Sequence, residues 1–388
     1  MLLLNISSLY LRCGALINKS NSLEKEIDFY KDKFKYINPK LFLDFKSSKI
    51  ILFKINFLKI EEFSKSPDFE FLSKIKIIQN LEEKQKEIIE QNLTEYKDSS
   101  NILSEPIIKD QEIPKCYYCG NLTGKKEYLI YKIFKKKCEK IESSTHLAIS
   151  GIDYLNNNLE NSFFDLPKST INDLVIVGKK ENNINLEKNR LTLKDKLYPY
   201  LLTSGDKDLS VYRVDSINSY KKIGYNTMGP ITLWSLLNLT YDYEDPELAL
   251  NEAKNGDNKL IDLSVGDIYG GDYGGASLCS DLIASSFSKI ASGDNIKNVD
   301  KKDIGRALLI FYGVTYAQVS SMVSLDYKAN KNIISGDTFE SLELMQMIQN
   351  CFYAFNGNTI EAVFNDYSVY FEIIGMIIEL DKNGNLEN

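Results

Sequence analysis

The sequence predicts an α/β protein of two lobes, on three observations. The chain has 388 residues, more than one small core organises and suited to two lobes at roughly 150 residues per domain. Apolar strand-like runs alternate with amphipathic helical patterns toward both ends of the chain. Near the C-terminus a short apolar strand ending in a Gly turn stands between two long helices, an arrangement that sets a loop at the carboxyl edge of a sheet. Apolar types make up 43% and charged types 26% of the residues. That much Ile, Leu, Phe and Tyr offsets the entropy of ordering the chain, so collagen, coiled coil and wholesale disorder are excluded.

The elements follow in order. Residues 2–11 are expected to form a buried strand; polar Asn5, Ser7 and Ser8 interrupt the apolar part and no basic start precedes it, so it is not read as a signal segment. Residues 50–57 read as a second strand and 60–78 as a Lys- and Glu-rich helix. From about 80 to 142 the chain is rich in Lys, Glu, Gln and Asn. It carries Pro106, Pro114, a Cys116-Tyr117-Tyr118-Cys119-Gly120 knuckle and Lys135-Lys136-Lys137, and is expected to be a charged helix followed by a loop-rich insert. β-type runs are expected at 146–150, 174–177, 200–202 and 209–214. Ile304, Leu308, Phe311, Val314, Val319 and Met322 recur at near-helical spacing over 302–325, and Leu344, Met347, Ile348 and Cys351 over 342–355. Between these helices, 331–337 reads as a buried strand. The expected division is 1–80 as a first-lobe segment, 81–144 as the insert, 145–197 as the end of the first lobe and 198–388 as the second.

Lys plus Arg number 47 against 54 Asp plus Glu, a formal charge of -7. With no general basic field, nucleic acid is not an expected partner. No run of eighteen uninterrupted apolar residues occurs, so no membrane span is expected. Six cysteines scattered over a long chain fit a reducing cytosol and a cytoplasmic location. Cys116, Cys119 and Cys138 with the single His146 have the types of a Cys₃His zinc site, although one CxxC pair is a weak signal.

The most specific stretch is Val265-Gly266-Asp267-Ile268-Tyr269-Gly270-Gly271-Asp272-Tyr273, followed by Ala284-Ser285-Ser286-Phe287. It resembles the hallmark of the type II, eukaryotic-type pantothenate kinases, an Asp-Ile-Tyr-Gly-Gly-Asp-Tyr run leading into Ala-Ser-Ser-Phe-Gly. Tyr198-Pro199 and Tyr220-Lys221-Lys222 extend the likeness on one side, and Asp303, Arg306, Ala307, Tyr370-Phe371 and Gly375 on the other. The resemblance implies an actin-like, ribonuclease-H-like fold of two lobes on twisted mixed sheets. It further implies use of ATP with Mg²⁺, phosphorylation of pantothenate as the first step of coenzyme A synthesis, acyl-coenzyme A as a regulatory ligand, and a dimer. On that likeness Tyr269, Tyr273, Ile283 and Ala284 reach into a neighbour's pocket, Ser210 contacts substrate, and Lys222 stands where an Arg clamps the pantothenate carboxylate.

The chain departs from the pattern where phosphate is handled. The family's first phosphate turn, Asp-Ile-Gly-Gly-Thr, corresponds to Asn5-Ile6-Ser7-Ser8-Leu9, so the Mg²⁺-shell carboxylate has become an amide and only remnants, Asn5, Ser7 and Ser8, are left. Gly-Ser-Gly falls on Asp206-Lys207-Asp208, and Gly-Gly-Gly-Thr on Gly229-Pro230-Ile231-Thr232, with Gly229 and Thr232 as remnants. Bare backbone N–H groups suit phosphate; carboxylates repel it, and proline removes a donor. The family's catalytic Glu follows a Thr-Gly-Gly-Gly strand end, matched here to 148–151, and falls on Asn157, with Asp153 or Glu160 as substitutes. Three functions therefore stand open: a subunit inactive alone that completes the active site of an intact paralogue in a heterodimer, an active stand-alone (homodimeric) kinase, and a non-catalytic acyl-coenzyme A sensor. The tyrosines can also be read as a tight interface corner with no ligand, and Lys222 as a solvated surface charge.

Overall fold

The computed structural model describes residues 2–6, 10–18, 41–45, 48–56, 116–120, 138–141, 143–167, 187–205, 208–241, 246–274, 278–292, 299–327, 329–336, 342–357 and 359–383. The chain divides into two compact units, Met1–Ser144 and Thr145–Asn388.

The first unit is built on six strands: β1 (Leu2–Ile6), β2 (Tyr10–Asn18), β3 (Leu41–Phe45), β4 (Ser48–Asn56), β5 (Cys116–Gly120) and β6 (Cys138–Lys140), in the order β3-β4-β2-β1-β5-β6. Strand β1 is antiparallel to β2, with Leu4 opposite Cys13, and parallel to β5, with Leu2 opposite Cys116. The opening run is thus two antiparallel strands rather than the single one expected over 2–11. The polar pair Ser7-Ser8, which separates two apolar runs, is the signal in the sequence for that reversal. Leu4, Leu11, Cys13, Leu52, Phe53 and Cys119 are fully buried and form the core described here.

The expected Cys knuckle is strand β5. Its Cys-Tyr-Tyr-Cys run is made of residues that suit a pleated, buried surface, and Cys116, Tyr117 and Cys119 are all buried. Part of the stretch expected as an insert therefore belongs to the central sheet. The helix expected over 60–78 and most of the insert lie outside the described residues.

The second unit holds α1 (Ser144–Asn158), β7 (Phe163–Asp165), β8 (Asn189–Leu191), β9 (Tyr200–Gly205), β10 (Leu209–Ser216), β11 (Ser219–Asn226), α2 (Pro230–Tyr241) and α3 (Pro246–Lys254). It continues through β12 (Leu263–Ser264), α4 (Val265–Tyr269), β13 (Ile283–Ser285), α5 (Lys301–Leu325), β14 (Lys331–Gly336), α6 (Leu342–Asn356), β15 (Glu361–Asn365) and α7 (Phe371–Lys382). Seven strands form one sheet in the order β11-β10-β9-β14-β15-β7-β8, and β12 pairs with β13 separately. Because β7 pairs with β15, placing Phe164 opposite Phe364, segment 145–197 goes with the second unit and not the first. The run expected as a strand at 146–150 is helical. Ala148, Ile152 and Leu155, all buried, lie on one helical face, and a five-residue apolar window does not separate a strand from a buried helix. The strand expected at 174–177 is outside the described residues.

Both units repeat one sheet plan. An antiparallel meander of three strands (β1-β2-β4, β9-β10-β11) is joined on the far side of its first strand by two parallel strands (β5 and β6, β14 and β15). That plan, carried twice, is the ribonuclease-H-like sheet of actin-like proteins, as expected. Parallel strands need crossover connections; in the second unit α5 leads into β14 and α6 joins β14 to β15. Helix α5 is long and apolar enough, by length and composition, to cross a bilayer. Here it packs between α6 and the α2–α3 pair, with Ala307, Leu309, Tyr312, Tyr316 and Ala317 buried.

Candidate functional site

Strands β9, β14 and β15 run parallel, so the second unit has one carboxyl edge, where ligand loops of open α/β sheets gather. Gly205 and Gly336 meet there. A Cβ on Gly336, whose φ is +144°, would lie 2.4 Å from the Gly205 carbonyl oxygen, so both strand ends close without side chains between them. Beyond Gly205 the chain enters the hairpin to β10. Asp206 and Lys207 are outside the described residues; Asp208 accepts a hydrogen bond from Ser210 Oγ at 2.8 Å, and Ser210 is buried.

Ser210 and Lys222 share one sheet face because of a bulge. The register steps from Val211 opposite Gly224 to Tyr212 opposite Lys222, leaving Ile223 as the extra residue. One extra residue inverts the facing of everything beyond it. Gly224 therefore turns toward α5, where a Cβ would sit 2.9 Å from Val323, while Lys222 turns to the opposite face. There its ammonium lies 4.4 Å from the Tyr225 ring centroid and 6.0 Å from that of Tyr212. Tyr225 is the strand partner of Ser210. The structure thus brings Asp208, Ser210, Tyr212, Lys222 and Tyr225 together. The two tyrosines were not singled out from sequence; Gly224, a glycine inside a strand, was the available signal for the bulge that gathers them.

Gly229 and Thr232 lie at the start of α2, which follows β11 at the same edge. Gly229 O accepts from Thr232 N at 2.9 Å, and Thr232 Oγ1 donates to Thr227 O at 3.3 Å. Pro230 is the first helical residue. Proline suits the first helical position because its N–H would have no intrahelical partner there, but the same N–H is one that a helix start would offer to phosphate.

The residues expected near the catalytic Glu are engaged elsewhere: Asp153 at the start of β9, and Glu160 just before β7, whose first residue pairs with Asn365 at the end of β15. Asp153 accepts from Tyr198 Oη at 3.0 Å and from Asn157 Nδ2 at 3.2 Å, and Glu160 pairs with Lys194 at 3.2 Å in the open. Burial first, and then the Asp153 charge and hydrogen bond, push the Tyr198 hydroxyl well above its usual range. Tyr198 lies two residues before β9, at the opposite end of that strand from Gly205. Residues 148–151 lie inside α1, not at a strand end. Gly151 serves a helix crossing, where a Cβ would come within 2.0 Å of the Phe371 carbonyl oxygen. Asp153 and Glu160 are thus each engaged by other side chains, and among the described residues no contact joins either to Ser210 or Lys222.

The zinc expectation is also corrected. Cys116 is disulfide-bonded and Cys119 is a buried free thiol. Three residues apart on a strand, the two face opposite sides of the sheet and do not share one ion. His146 lies on α1, 6.2 Å from the Tyr220 ring and 3.7 Å from Glu379 Oε1. Among the described residues no group of three or more His, Cys, Asp or Glu side chains is placed to hold a metal. The side chains of Asn5 and Cys138, and all of Ser7 and Ser8, lie outside what the structure describes.

The Asp-Ile-Tyr-Gly-Gly-Asp-Tyr run forms a self-contained corner. Ser264 and Asp267 close a capping box at the start of α4, and Gly270 ends that helix with φ +78°, a left-handed position where glycine is at ease. Asp267 pairs with Lys289 at 2.6 Å. Desolvation pushes the Asp267 carboxyl up, but hydrogen bonds from Lys289 and Ser264 outweigh it and hold it below the usual range. Asp272 accepts from Ser280 N at 2.7 Å, and Tyr273 bridges to Leu278. On this frame the Tyr269 and Tyr273 rings stack at 4.1 Å with 23° between planes, yet they remain 54% and 49% exposed. Ile268 and Leu278 are exposed as well. Ile283 and Ala284 lie on β13, tied to the corner through β12.

A twice-repeated sheet with a carboxyl-edge cluster and this corner defines an actin-like α/β protein. The family model named Fumble matches residues 36–379, and the chain belongs to that family, the pantothenate kinases, as a divergent eukaryotic-type member. It is 25% identical over 270 residues to pantothenate kinase 2 of Arabidopsis thaliana, covering 68% of this chain and 28% of that protein. It is 32% identical over 149 residues to pantothenate kinase 1 of the same plant, 38% of this chain and 39% of that one. With the pantothenate kinase of Schizosaccharomyces pombe it shares 27% over 205 residues, 50% and 51% of the two chains. The matches thus span about half or less of the length of these curated relatives. Among solved structures, glucokinase from Balamuthia mandrillaris in complex with glucose aligns over 97% of this chain and 92% of its own at 11% identity and a TM-score of 0.38. A non-polymerisable quadruple mutant of pCBH ParM aligns over 98% of both chains at 10% identity and a TM-score of 0.35.

Proposed function

We propose that this chain is a pantothenate kinase subunit that does not phosphorylate pantothenate alone and that completes the active site of an intact paralogous chain in a heterodimer. The observation that carries the reading is the contrast between two places. The Tyr269–Tyr273 corner is rigidly built by its capping box, its ion pair and its β-bridge, and its aromatic faces stand half open. A stacked aromatic pair held in solvent by so many internal bonds suits a surface that another molecule covers.

At the carboxyl edge the opposite holds. A triphosphate tail needs bare N–H donors, and Asp208 presents a carboxylate already bonded to Ser210. That carboxylate disfavours a phosphate at this turn. In the proposed heterodimer ATP and Mg²⁺ are held by the partner, while this chain's tyrosines, Ile283 and Ala284 close the partner's pantothenate pocket and exclude water from it.

The test is a pair of assays. Purified alone, the chain is expected to give no ATP-dependent phosphorylation of pantothenate; co-expressed with an intact paralogue it is expected to support it. In the joint complex Tyr269→Ala is expected to lower turnover by about tenfold or more, the scale of a lost pocket contact. Turnover by the chain alone, or an unchanged joint rate in the variant, overturns the reading.

A further inference from the structure

An edge lent to another protein works only if its backbone is fixed, and the segment that carries Ala284 is held in an unfavourable shape. Phe287 has φ +61°, in the left-handed region where a Cβ crowds the backbone. Its N–H donates to Asp262 Oδ1 at 2.8 Å. The other oxygen of that carboxylate, Oδ2, accepts from Asn258 Nδ2 at 2.6 Å. Asp262 is 1% exposed, and it makes no salt bridge among the described residues.

A buried carboxylate that accepts from a backbone N–H and a side-chain amide is a fixed clamp, costly to leave without its donors. The segment beyond is tied to the same turn: Lys289 N donates to Ile261 O at 3.0 Å, and Lys289 Nζ to Lys259 O at 2.8 Å. The Phe287 ring meets Phe311 edge-on at 6.3 Å. From sequence, Asp262 was signalled only as a lone carboxylate within Leu260-Ile261-Asp262-Leu263.

We propose that Asp262 is the positioning residue of the lent corner, its carboxylate holding Phe287 in the left-handed backbone and so setting the Ile283–Ala284 edge. The consequence for turnover rests on the function proposed above; the conformational part does not. The test uses the full chain. Asp262→Leu keeps the volume and removes both acceptors, Asp262→Asn keeps an acceptor for the Phe287 N–H, and Phe287→Gly removes the strain the clamp opposes.

In the lone chain, Asp262→Leu is expected to speed backbone amide exchange over residues 283–289 by about tenfold or more, as a local opening does. Asp262→Asn is expected to stay within about threefold of the original, and Phe287→Gly added to Asp262→Leu to return exchange to that range, since glycine adopts the turn freely. In the joint complex turnover is expected to follow the same order. A purely structural role predicts equal damage from Leu and Asn and no rescue by glycine, and that result overturns the inference. Should Asp262→Leu not fold, exchange in the unaltered chain decides: a Phe287 amide no slower than those of Ser286 and Ser288 overturns it. Exchange behaving as expected with no joint activity in the unaltered complex overturns the proposed function and leaves the clamp standing.

Discussion

Alanine at Gly375 is a severe test of the packing that unites α1 with α7. Its Cβ would lie 1.9 Å from the Leu147 carbonyl oxygen and 2.6 Å from the carbonyl carbon. The reciprocal contact has a Cβ on Gly151 at 2.0 Å from the Phe371 carbonyl oxygen. The two helices thus cross backbone to backbone, and neither oxygen can swing aside as a flexible side chain would. Reaching a tolerable separation of about 3.0 Å requires the helices to part by about 1.1 Å (3.0 − 1.9) at the crossing. Ile149, Ile152, Ile374 and Ile377, each fully buried, lose contact as they do. Alanine in place of glycine in a helix interior gains about 1 kcal/mol of propensity, while overpacking a core costs about 1–3 kcal/mol and more against rigid backbone. The expected net loss is about 2 kcal/mol, read as a lower urea midpoint at unchanged slope. Gly151→Ala is expected to lose a similar amount, and the double variant less than the sum, because one parting of the helices accommodates both methyls. An unchanged or raised midpoint for Gly375→Ala, or strict additivity in the pair, refutes the reasoning.

Two further outcomes follow from buried and half-buried polar groups. Tyr316 Oη donates toward Thr203 O at 3.3 Å and Ser335 O at 3.5 Å, bridging β9 and β14, and Tyr316→Phe is expected to cost about 1 kcal/mol in chemical unfolding; no change would remove that bridge from the account. Desolvation pushes the Glu379 carboxyl up, but Lys382, Ser150 and His146 outweigh it and lower its pKa from 4.5. A carboxyl depressed on folding stabilises above its unfolded pKa, and that contribution disappears as pH falls through the folded value. Glu379→Gln is therefore expected to lower the thermal midpoint near neutral pH and to leave it unchanged in acid below both values, a pattern that a pH series of melting curves checks.

What was legible in the sequence was what period and motif carry. Helices α5 and α6 repeat their apolar residues over four or more turns, and the strands expected at 50–57, 200–202, 209–214 and 331–337 are bounded by polar or glycine residues, so their types are correct over the described residues. The run at 146–150 was too short to show a period and became helix α1. Strand β5 was masked by its cysteines, whose CxxC spacing suggests a metal knuckle although the same four residues suit a buried strand. The hallmark corner was visible as a motif. The clustering of Lys222 with Tyr212 and Tyr225 was not, because it depends on one extra residue at a bulge. The bond between Asp153 and Tyr198 was equally hidden, since it follows from how α1 lies against the start of β9.

The two halves of the proposed role place different demands on the chain, and the structure separates them physically. The corner draws its rigidity from bonds among residues 258–289, namely the Ser264–Asp267 box, the Asp267–Lys289 pair and the Asp262 clamp, none of which needs a nucleotide to form. The carboxyl edge depends on the chemistry of its turns, and there one carboxylate both repels phosphate and occupies the Ser210 hydroxyl. A chain can therefore lose the second without loosening the first. The same separation means that Asp208→Gly would free Ser210 without supplying the remaining phosphate donors: binding of a substrate anion to the lone chain is expected to strengthen while ATP-dependent turnover stays absent, and turnover restored by that single change would show the phosphate site to be intact after all.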